Sequence, residues 1–321
     1  MPEDSPSVLI IRLDAIGDAL ALTPLLAALG ERAIPVDLVM REANAGIFAS
    51  RAARRVLVAP FELRSSRRPN LAAIDAFGAE LSRDGYSHVL VATEDPGGYR
   101  LAGATRAPAR IGFSNGLGKP LKTLWTRRFL TTSIYRAAGL DPNAPHESEV
   151  LFALGKPLIG DAVPTRDPAV LRPLVIENEP DAGDRVTMQI TDKWERLRIA
   201  AEDVVAMARR IAGFGGRFIA SSAERDYADE IEIAAGIRID RFDSLDAWKD
   251  AIAEAPALVT PDSGALHVAG AIGTPVVGVF PASPQFDLQV ARWSPWAAPS
   301  RIVKAERDWP ARATDALAQL L

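Results

Sequence analysis

The feature that most constrains the fold is the segment 256–280, in which two apolar runs flank a short helix rich in small residues. The pattern predicts strands at 257–260 and 275–280 with a helix at 264–272 between them, which is a β-α-β unit. The first strand ends in a tight Asp-Ser-Gly turn at 262–264. Such a turn presents backbone N–H groups and the positive end of the helix dipole to an anion such as a diphosphate.

The same turn also has an ordinary structural explanation. Asp262 or Ser263 is a good N-cap, so the segment fits a plain capped crossover between two strands equally well. His267 lies one turn into the helix, on the face that carries Ser263, where it is either a ligand-binding residue or a core histidine. Both interpretations stay open on this segment alone.

A second strand-turn-helix segment lies near the start of the chain. The apolar run 8–13 predicts a strand, and a turn at 14–18 follows it. Gly17 allows this turn backbone conformations that other residues avoid, and Asp18 stands at the start of the helix that comes next.

Together the two segments resemble the signatures of glycosyltransferase family 9, the ADP-heptose:lipopolysaccharide heptosyltransferases. The family's first signature is a hydrophobic-Arg/Lys-x-x-x-hydrophobic-Gly-Asp turn, matched here by IRLDAIGD at 11–18. Its second is Asp-[Ser/Thr]-Gly-x-x-His followed by a small-residue helix and Gly-Thr-Pro, matched by DSGALH at 262–267 and GTP at 273–275. Two ordered motifs on the expected elements are much more specific than either one.

Composition describes a globular protein of two domains. The 321 residues are 48% apolar and 24% charged, and no apolar stretch of membrane-spanning length is free of charge. The absence of cysteine excludes a disulfide framework, a thiolate metal site and a cysteine nucleophile. The first residues are acidic and lack a signal-peptide design, which predicts a cytoplasmic protein.

Both halves alternate apolar strands with helical segments, the pattern of an α/β protein with parallel sheets. The resemblance implies the GT-B arrangement, in which two doubly wound Rossmann-like domains, here 1–160 and 161–321, face each other across a cleft. The first would be the acceptor side and the second the nucleotide-sugar donor domain. The Pro-, Gly- and Asp-rich segment 141–184 predicts the linker, with one strand or short helix. The final helix, at 310–321, completes the C-terminal domain or packs back on the N-terminal one.

The individual elements follow from the same periodicities. In the first half, strands are predicted at 8–13, 36–40, 55–58, 87–92 and 109–113, and helices at 18–30, 44–51, 70–84, 97–104 and 131–139. In the second half, strands are predicted at 185–190, 217–221, 237–242, 257–260, 275–280 and 301–303, and helices at 202–213, 225–235, 246–254, 264–272 and 310–321.

The net charge of −4 conceals a basic segment. Residues 51–128 carry fourteen Lys and Arg against six Asp and Glu, whereas the rest of the chain carries 23 against 35. This surplus fits an anionic acceptor or an anionic membrane surface, and it fits solvated loops and helix faces equally well. Nucleic acid is disfavoured because the segment lacks a basic motif interleaved with aromatic residues. The residues expected on the acceptor side are Asp14, Gly17, Arg64, Arg67 and Arg68.

The resemblance assigns the catalytic role to Asp18. In the family, the Asp of the Gly-Asp pair is the base that takes the proton of the acceptor hydroxyl, and Gly17 would let the backbone approach that acceptor. Asp14 stands where the family usually has a small hydroxyl residue. Two neighbouring carboxylates can raise one pKa and help a base, or the change marks a different acceptor. The structural alternative is that Asp18 caps its own helix.

The donor-binding residues that the resemblance implies follow strands in the second half. The run at 191–194 resembles the family's [Ser/Thr]-x-x-Lys-x-Trp-Pro segment, which places Thr191 and Lys193 at the donor diphosphate. The match is truncated, since Gln189 and Ile190 replace a His-Pro-Gly-Ala run and no proline follows Trp194. A solvated lysine is therefore the alternative.

Further donor contacts are implied at two later turns. Glu224 stands where the family has Gly-Gly-x-x-Glu, and it either accepts hydrogen bonds from a ribose or begins a solvated helix. Ser263, Gly264 and His267 would hold the diphosphate, while Asp262 would orient the loop or contact the sugar.

Metal and redox chemistry are not indicated by any motif. No Asp-x-Asp pair occurs, and the three histidines are widely separated, so we predict no metal site and no cofactor besides the nucleotide sugar used as substrate. No Gly-x-Gly-x-x-Gly turn follows the first strand, which counts against a nicotinamide or flavin dehydrogenase.

These features favour an inverting, metal-independent glycosyltransferase. Its donor would be a nucleoside diphosphate sugar, ADP-heptose by resemblance, and its acceptor a lipopolysaccharide-like or other anionic, lipid-linked glycan. Such an enzyme would be cytoplasmic or peripheral on the cytoplasmic face of the inner membrane. The thinned donor motifs leave two alternatives open: a non-catalytic GT-B protein that binds a nucleotide or glycan, and a nucleotide-sugar epimerase of the same architecture.

Overall fold

The chain divides into two units, each built on one parallel sheet. The computed structural model describes residues 6–60, 70–137, 139, 141, 143 and 145–321. The first unit is Met1–Thr165 and the second is Arg166–Leu321. No helix in these described ranges is both long and apolar enough to cross a bilayer.

The sheet of the first unit has the strand order β3-β2-β1-β4-β5-β6, with every neighbouring pair parallel. The four residues of β1 are fully buried, as expected for a central strand with helices on both faces. The strands are β1 (Val8–Ile11), β2 (Val36–Met40), β3 (Arg55–Val58), β4 (His88–Val91), β5 (Ala109–Ser114) and β6 (Thr132–Tyr135). The helices are α1 (Ile16–Leu20), α2 (Thr23–Glu31), α3 (Leu71–Leu81), α4 (Pro96–Ala104), α5 (Pro120–Thr126), α6 (Glu147–Phe152) and α7 (Lys156–Ile159).

The second unit repeats the design, with the strand order β12-β11-β10-β7-β8-β9 and parallel pairing throughout. Its strands are β7 (Thr187–Gln189), β8 (Arg217–Ser221), β9 (Asp240–Phe242), β10 (Leu258–Pro261), β11 (Val276–Pro281) and β12 (Ser300–Ala305). Its helices are α8 (Pro168–Leu171), α9 (Lys193–Arg196), α10 (Ala201–Gly213), α11 (Arg225–Ala235), α12 (Leu245–Ala253), α13 (Gly264–Ile272), α14 (Phe286–Trp293) and α15 (Trp309–Ala318).

Local signals explain where the helices begin and end. The Asn70 side chain accepts a hydrogen bond from the Ala73 N–H at 3.1 Å and so caps α3. α11 and α13 end at Gly236 and Gly273, whose φ angles of 68° and 83° lie in the left-handed region that glycine adopts without a Cβ clash. The predicted fold class, α/β with two doubly wound Rossmann-like units, is confirmed.

Three predicted helices differ in the structure. The segment predicted as a helix at 131–139 contains the edge strand β6, where β-branched residues alternate beside β5. The predicted helix at 44–51 is absent, and two single 3-10 turns stand on either side of Gly46 instead. The helix at 18–30 is split into α1 and α2, because Pro24 lacks the N–H that a continuous helix needs.

The last helix belongs to the core of the second unit. α15 packs against α10, β11 and β12. The Trp309 ring stacks on the Trp194 ring with centroids 5.5 Å apart and planes 17° apart, and both side chains are buried. The last helix, α15, therefore packs against α9, the short helix that follows β7.

Candidate active site

Most of the candidate residues follow the carboxyl ends of strands where the strand order reverses. In the first unit the reversal lies between β1 and β4, and in the second between β7 and β10. Ligands of doubly wound sheets bind outside the carboxyl ends of the strands at such points. The turn after β1 contains Asp14, and the helix α1 that follows it contains Gly17 and Asp18. The segment after β7 contains Thr191 and Lys193, and the one after β8 contains Glu224. The turn after β10 contains Asp262 and Ser263, and α13 begins with Gly264 and includes His267.

Asp18 is the third residue of α1 and is partly open to solvent. Its side chain is 30% exposed, and its carboxylate accepts a hydrogen bond from the Ala15 N–H at 3.2 Å. The predicted capping contact is thus made, and it uses one carboxylate oxygen. The other oxygen lies 3.7 Å from Nη2 of Arg12.

Arg12 holds the backbone of the same residue. Its Nε and Nη2 donate to the Asp18 carbonyl oxygen at 3.0 and 2.7 Å, and its Nη1 donates to the Ala92 carbonyl just beyond β4. Only 2% of the Arg12 side chain is exposed. One buried guanidinium therefore fixes the position of Asp18 relative to both central strands.

Three carboxylates surround this guanidinium. Arg12 Nη1 lies 3.3 Å from the Asp14 carboxylate, and Nη2 lies 3.8 Å from Oε1 of Glu147 as well as near Asp18. Both oxygens of Glu147, which is fully buried, accept hydrogen bonds from Nη2 of Arg136 at 2.9 Å. Buried charges of this kind are stable only when they are paired and hydrogen-bonded.

The charge network continues towards β5. Arg136 Nε lies 3.7 Å from Glu94, which also lies 3.3 Å from Lys122 Nζ. Burial by itself would raise the pKa of Glu94, but Arg136 and Lys122 outweigh it and lower that pKa below its ordinary value. Sequence reasoning missed Arg136 and Glu147. Neither residue belongs to a motif that marks it: Arg136 stands in the segment predicted as a helix, and Glu147 stands among polar residues of the predicted linker.

The remaining acceptor-side candidates fall into two groups. Asp14 is buried and its carbonyl accepts a hydrogen bond from the Asn44 side chain, while Gly17 is buried within α1. Arg64, Arg67 and Arg68 lie outside the residues that the structure describes.

On the second unit, Thr191 and Glu224 are brought together. The Thr191 hydroxyl donates to Oε1 of Glu224 at 2.7 Å and accepts from the Lys193 N–H at 3.2 Å. Burial raises the pKa of Glu224 to about 7; the Thr191 hydrogen bond opposes the rise, and the neighbouring Asp192 carboxylate adds to it. Glu224 is thus a carboxyl that changes charge near neutral pH.

Lys193 begins α9 and is partly exposed. Within the described ranges its ammonium has no carboxylate within ion-pair distance, whereas Arg196 on the next turn pairs with Asp192. Trp194, which follows Lys193, is buried and donates from Nε1 to the Gln189 carbonyl at 3.0 Å.

Gln189 shows what replaced the missing His-Pro-Gly-Ala run. Its side-chain oxygen accepts a hydrogen bond from Trp248 Nε1 at 3.0 Å, and the residue is buried. The side chain at this position is therefore used for packing inside the second unit.

The turn after β10 presents the start of α13. Ser263 occupies the N-cap position, but its side chain makes no capping hydrogen bond; its hydroxyl instead lies 2.9 Å from that of Thr260. His267 Nε2 lies 3.8 Å from the Asp262 carboxylate, and the His267 ring meets the Trp293 ring edge-on at 5.9 Å. The serine hydroxyl thus makes no bond to the N–H groups of the first turn, the part of a helix at which anions bind in other proteins.

A metal centre is not formed by the side chains that the structure places. In the described part of the chain, no group of three or more His, Cys, Asp or Glu residues has the arrangement to hold an ion.

Comparison with protein families identifies this turn and its surroundings. Residues 241–318 match the model of glycosyltransferase family 9 (heptosyltransferase). This part of the second unit is similar to glycosyltransferase family 9. The predicted resemblance is confirmed, and with it the assignment of the chain as a heptosyltransferase-like glycosyltransferase. Curated protein sequences give no match.

Solved structures of this family share the fold over the whole chain. The E. coli heptosyltransferase WaaC with ADP has a TM-score of 0.75 at 18% identity, covering 98% of this chain and 100% of its own. The E. coli ADP-heptose lps heptosyltransferase II has a TM-score of 0.70 at 16% identity, covering 98% of both chains. The glycosyl transferase family 9 protein from Veillonella parvula DSM 2008 has a TM-score of 0.74 at 15% identity, covering 100% of this chain and 98% of its own. The two six-stranded units thus have the GT-B heptosyltransferase fold.

Proposed function

We propose that the protein is an inverting, metal-independent glycosyltransferase that uses a nucleoside diphosphate sugar, with ADP-heptose as the first donor to test. The acceptor would be a lipopolysaccharide-like or other anionic, lipid-linked glycan, which would bring the enzyme to the surface of a membrane. The observation that carries the proposal is the start of α13, where the hydroxyl of the N-cap Ser263 makes no hydrogen bond to the first turn, inside the segment that matches the family.

The donor diphosphate would bind at the turn before α13. Backbone N–H groups of Gly264 and its neighbours would donate to phosphate oxygens, and the helix dipole would favour their negative charge. Lys193, which begins α9 without a carboxylate partner in the described ranges, would add a positive charge. Together these groups would stabilise the departing diphosphate, the role that a divalent cation has in metal-dependent transferases.

Other donor contacts would come from the same edge of the second sheet. Glu224, already bound to Thr191 at 2.7 Å, would accept hydrogen bonds from ribose hydroxyls. His267 would donate to a phosphate oxygen, with Asp262, 3.8 Å away, orienting the imidazole.

Asp18 would act as the general base on the acceptor side. Its carboxylate is partly exposed, while Arg12 and the Ala15 N–H fix its orientation. The base would take the proton of the attacking hydroxyl as that oxygen bonds to the anomeric carbon and the bond to the diphosphate breaks, which inverts the configuration.

The test is release of nucleoside diphosphate from ADP-heptose in the presence of a lipid A-core acceptor. Asp18→Asn should reduce the turnover by at least about a hundredfold, while calorimetry shows unchanged donor binding. Asp167→Asn is the matched control, since Asp167 also accepts a backbone N–H at the start of a short helix, at 2.9 Å. Sugar transfer that survives in Asp18→Asn would reject the base assignment.

A second candidate function is a non-catalytic nucleotide- or glycan-binding protein with a degenerate donor site. The observation in its favour is Gln189, whose side chain contacts Trp248 where the family has a His-Pro-Gly-Ala run. Calorimetry against ADP-, UDP- and GDP-sugars separates the two. A binding module would bind without turnover, whereas the proposed enzyme would bind one donor and release its diphosphate.

A further inference from the structure

The helix α5 buries two threonines and exposes two leucines, unlike an ordinary surface helix. Thr123 and Thr126 are buried, and their hydroxyls donate to the carbonyl oxygens of Gly116 and Thr123 at 3.0 and 3.1 Å. Leu121 and Leu124 face outward and are 83% and 62% exposed. Leucine exposed on a helix whose threonines are buried opposes the usual distribution of these residues.

The apolar surface extends beyond the helix. Leu117, in the 3-10 turn before α5, is 94% exposed, and Tyr135 at the end of β6 is 69% exposed. The Tyr135 ring lies beside Gly116, where an added Cβ would come within 3.4 Å of it. Leu117, Leu121, Leu124 and Tyr135 are called the leucine patch below.

The surroundings of the patch are positively charged. The stretch 96–140 contains eight Lys and Arg and no Asp or Glu. Three of these cations, Lys119, Arg127 and Arg128, are exposed on or next to α5. Lys122 instead points inward, with Nζ 3.3 Å from Glu94. The patch is therefore an apolar surface with a cationic rim.

We propose that the leucine patch is the surface by which this protein docks on an anionic lipid bilayer. Leucines would enter the boundary between headgroups and acyl chains, the tyrosine would lie at headgroup level, and the cations would contact lipid phosphates. The charge is what favours the bilayer over an apolar protein partner, since the exposed cations Lys119, Arg127 and Arg128 complement a continuous anionic surface. The inference depends on the proposed function in one respect only: the proposed function supplies the lipid-linked acceptor that such docking would serve.

The position of the patch in the first unit fits this role. α5 follows the carboxyl end of β5, and the turn that carries Asp18 follows the carboxyl end of β1 in the same parallel sheet. Both therefore lie at one edge of that sheet. Docking through α5 would bring this edge to the membrane, where a lipid-linked hydroxyl is found.

Flotation with lipid vesicles tests the proposal on the full chain. Wild-type protein should float with phosphatidylcholine vesicles that contain phosphatidylglycerol, float poorly with phosphatidylcholine alone, and be released by high salt. The double variants Leu121→Ser/Leu124→Ser and Arg127→Gln/Arg128→Gln should each lower the partition coefficient on anionic vesicles by about tenfold or more. Ile233→Ser is the matched control for the leucines, because Ile233 is also 83% exposed but lies on α11 of the second unit.

A fluorescence experiment localises the contact. Because the chain has no cysteine, Leu121→Cys and Ile233→Cys each provide one labelling site for an environment-sensitive dye. On anionic vesicles, the emission of the dye at 121 should shift to the blue and be quenched by brominated lipids, whereas the dye at 233 should not respond.

Two results would overturn the proposal: wild-type protein that fails to float with anionic vesicles, or patch variants that float as well as the wild type. Unchanged thermal unfolding of the variants shows that they are folded.

Vesicle binding needs neither donor nor acceptor, so a wild-type protein that binds vesicles without transferring sugar would refute the proposed function alone. A patch that binds a protein but no vesicle would also count against the bilayer.

Discussion

Glu147 lies between two arginines, with both of its oxygens bonded to Arg136 at 2.9 Å and one of them 3.8 Å from Arg12. The carboxylate is fully buried. It joins the start of α6 to the turns after β1 and β6 of the same unit. The network has two measurable consequences: one for stability, tested at Glu147, and one for the proposed chemistry, tested at Arg12.

For stability, Glu147→Ala should lower the free energy of unfolding by about 3–5 kcal/mol, because it leaves two buried guanidinium groups short of a partner. Urea denaturation measures this change. Glu80→Ala, on the exposed face of α3, is the control and should change the free energy by less than about 0.5 kcal/mol. If Glu147→Ala lowered the free energy of unfolding as little as the control does, the contacts of Glu147 with Arg136 and Arg12 would contribute nothing to stability.

For the chemistry, Arg12→Lys should lower kcat by about 10- to 100-fold and leave the donor KM within about twofold. A lysine cannot reach the Asp18 and Ala92 carbonyl groups together, so the proposed base would lose its position. Steady-state release of nucleoside diphosphate gives both constants. Arg100→Lys, which alters an exposed arginine-carboxylate pair with Asp75, is the control. A raised donor KM at unchanged kcat would instead place Arg12 at the donor.

Glu224 should make stability depend on pH. Since burial raises its pKa to about 7 in the folded protein, the folded state holds this proton more tightly than the unfolded chain, where the ordinary value is 4.5. The resulting stabilisation is complete below pH 4.5 and is lost as the pH rises through about 7.

Glu224→Gln should therefore be more stable than the wild type at pH 8, by about 1–2 kcal/mol after allowance for solvent screening. Denaturation curves between pH 5 and pH 8 measure the difference, with Glu230→Gln on the helix that follows Glu224 as the control. Parallel curves for wild type and Glu224→Gln would contradict the raised pKa.

Two substitutions of Trp309 should distinguish the contribution of ring packing to stability from that of the indole N–H. Trp309→Ala removes the ring stacked on Trp194 and should cost about 3–5 kcal/mol of unfolding free energy. Trp309→Phe keeps an aromatic ring and removes a buried Nε1–H that has no acceptor in the described residues, so it should cost less than about 1.5 kcal/mol. Equal losses in the two variants would show that the stacking itself contributes little.

Sequence reasoning succeeded where the signals are local. The helix predicted at 264–272 is α13 residue for residue, because the turn before it and Gly273 after it are both short-range signals. It failed at 131–139, where an edge strand is decided by pairing with β5 rather than by its own periodicity.

The candidate site divides in the same way. Asp18 and the 262–267 turn could be named from motifs, whereas Glu147 could not, since its partners Arg136 and Arg12 are brought to it only by the fold. The contact between the hydroxyls of Ser263 and Thr260 could not be predicted from the sequence either, because an N-cap serine normally bonds to the first turn of its own helix.

The guanidinium of Arg12 has one more effect, on access. It links the Asp18 carbonyl to the Ala92 carbonyl beyond the carboxyl ends of β1 and β4, where a doubly wound sheet usually receives a ligand. The guanidinium itself is buried, whereas the Asp18 side chain is 30% exposed. A ligand at this point of the first unit would therefore meet the carboxylate of Asp18 before it meets the arginine.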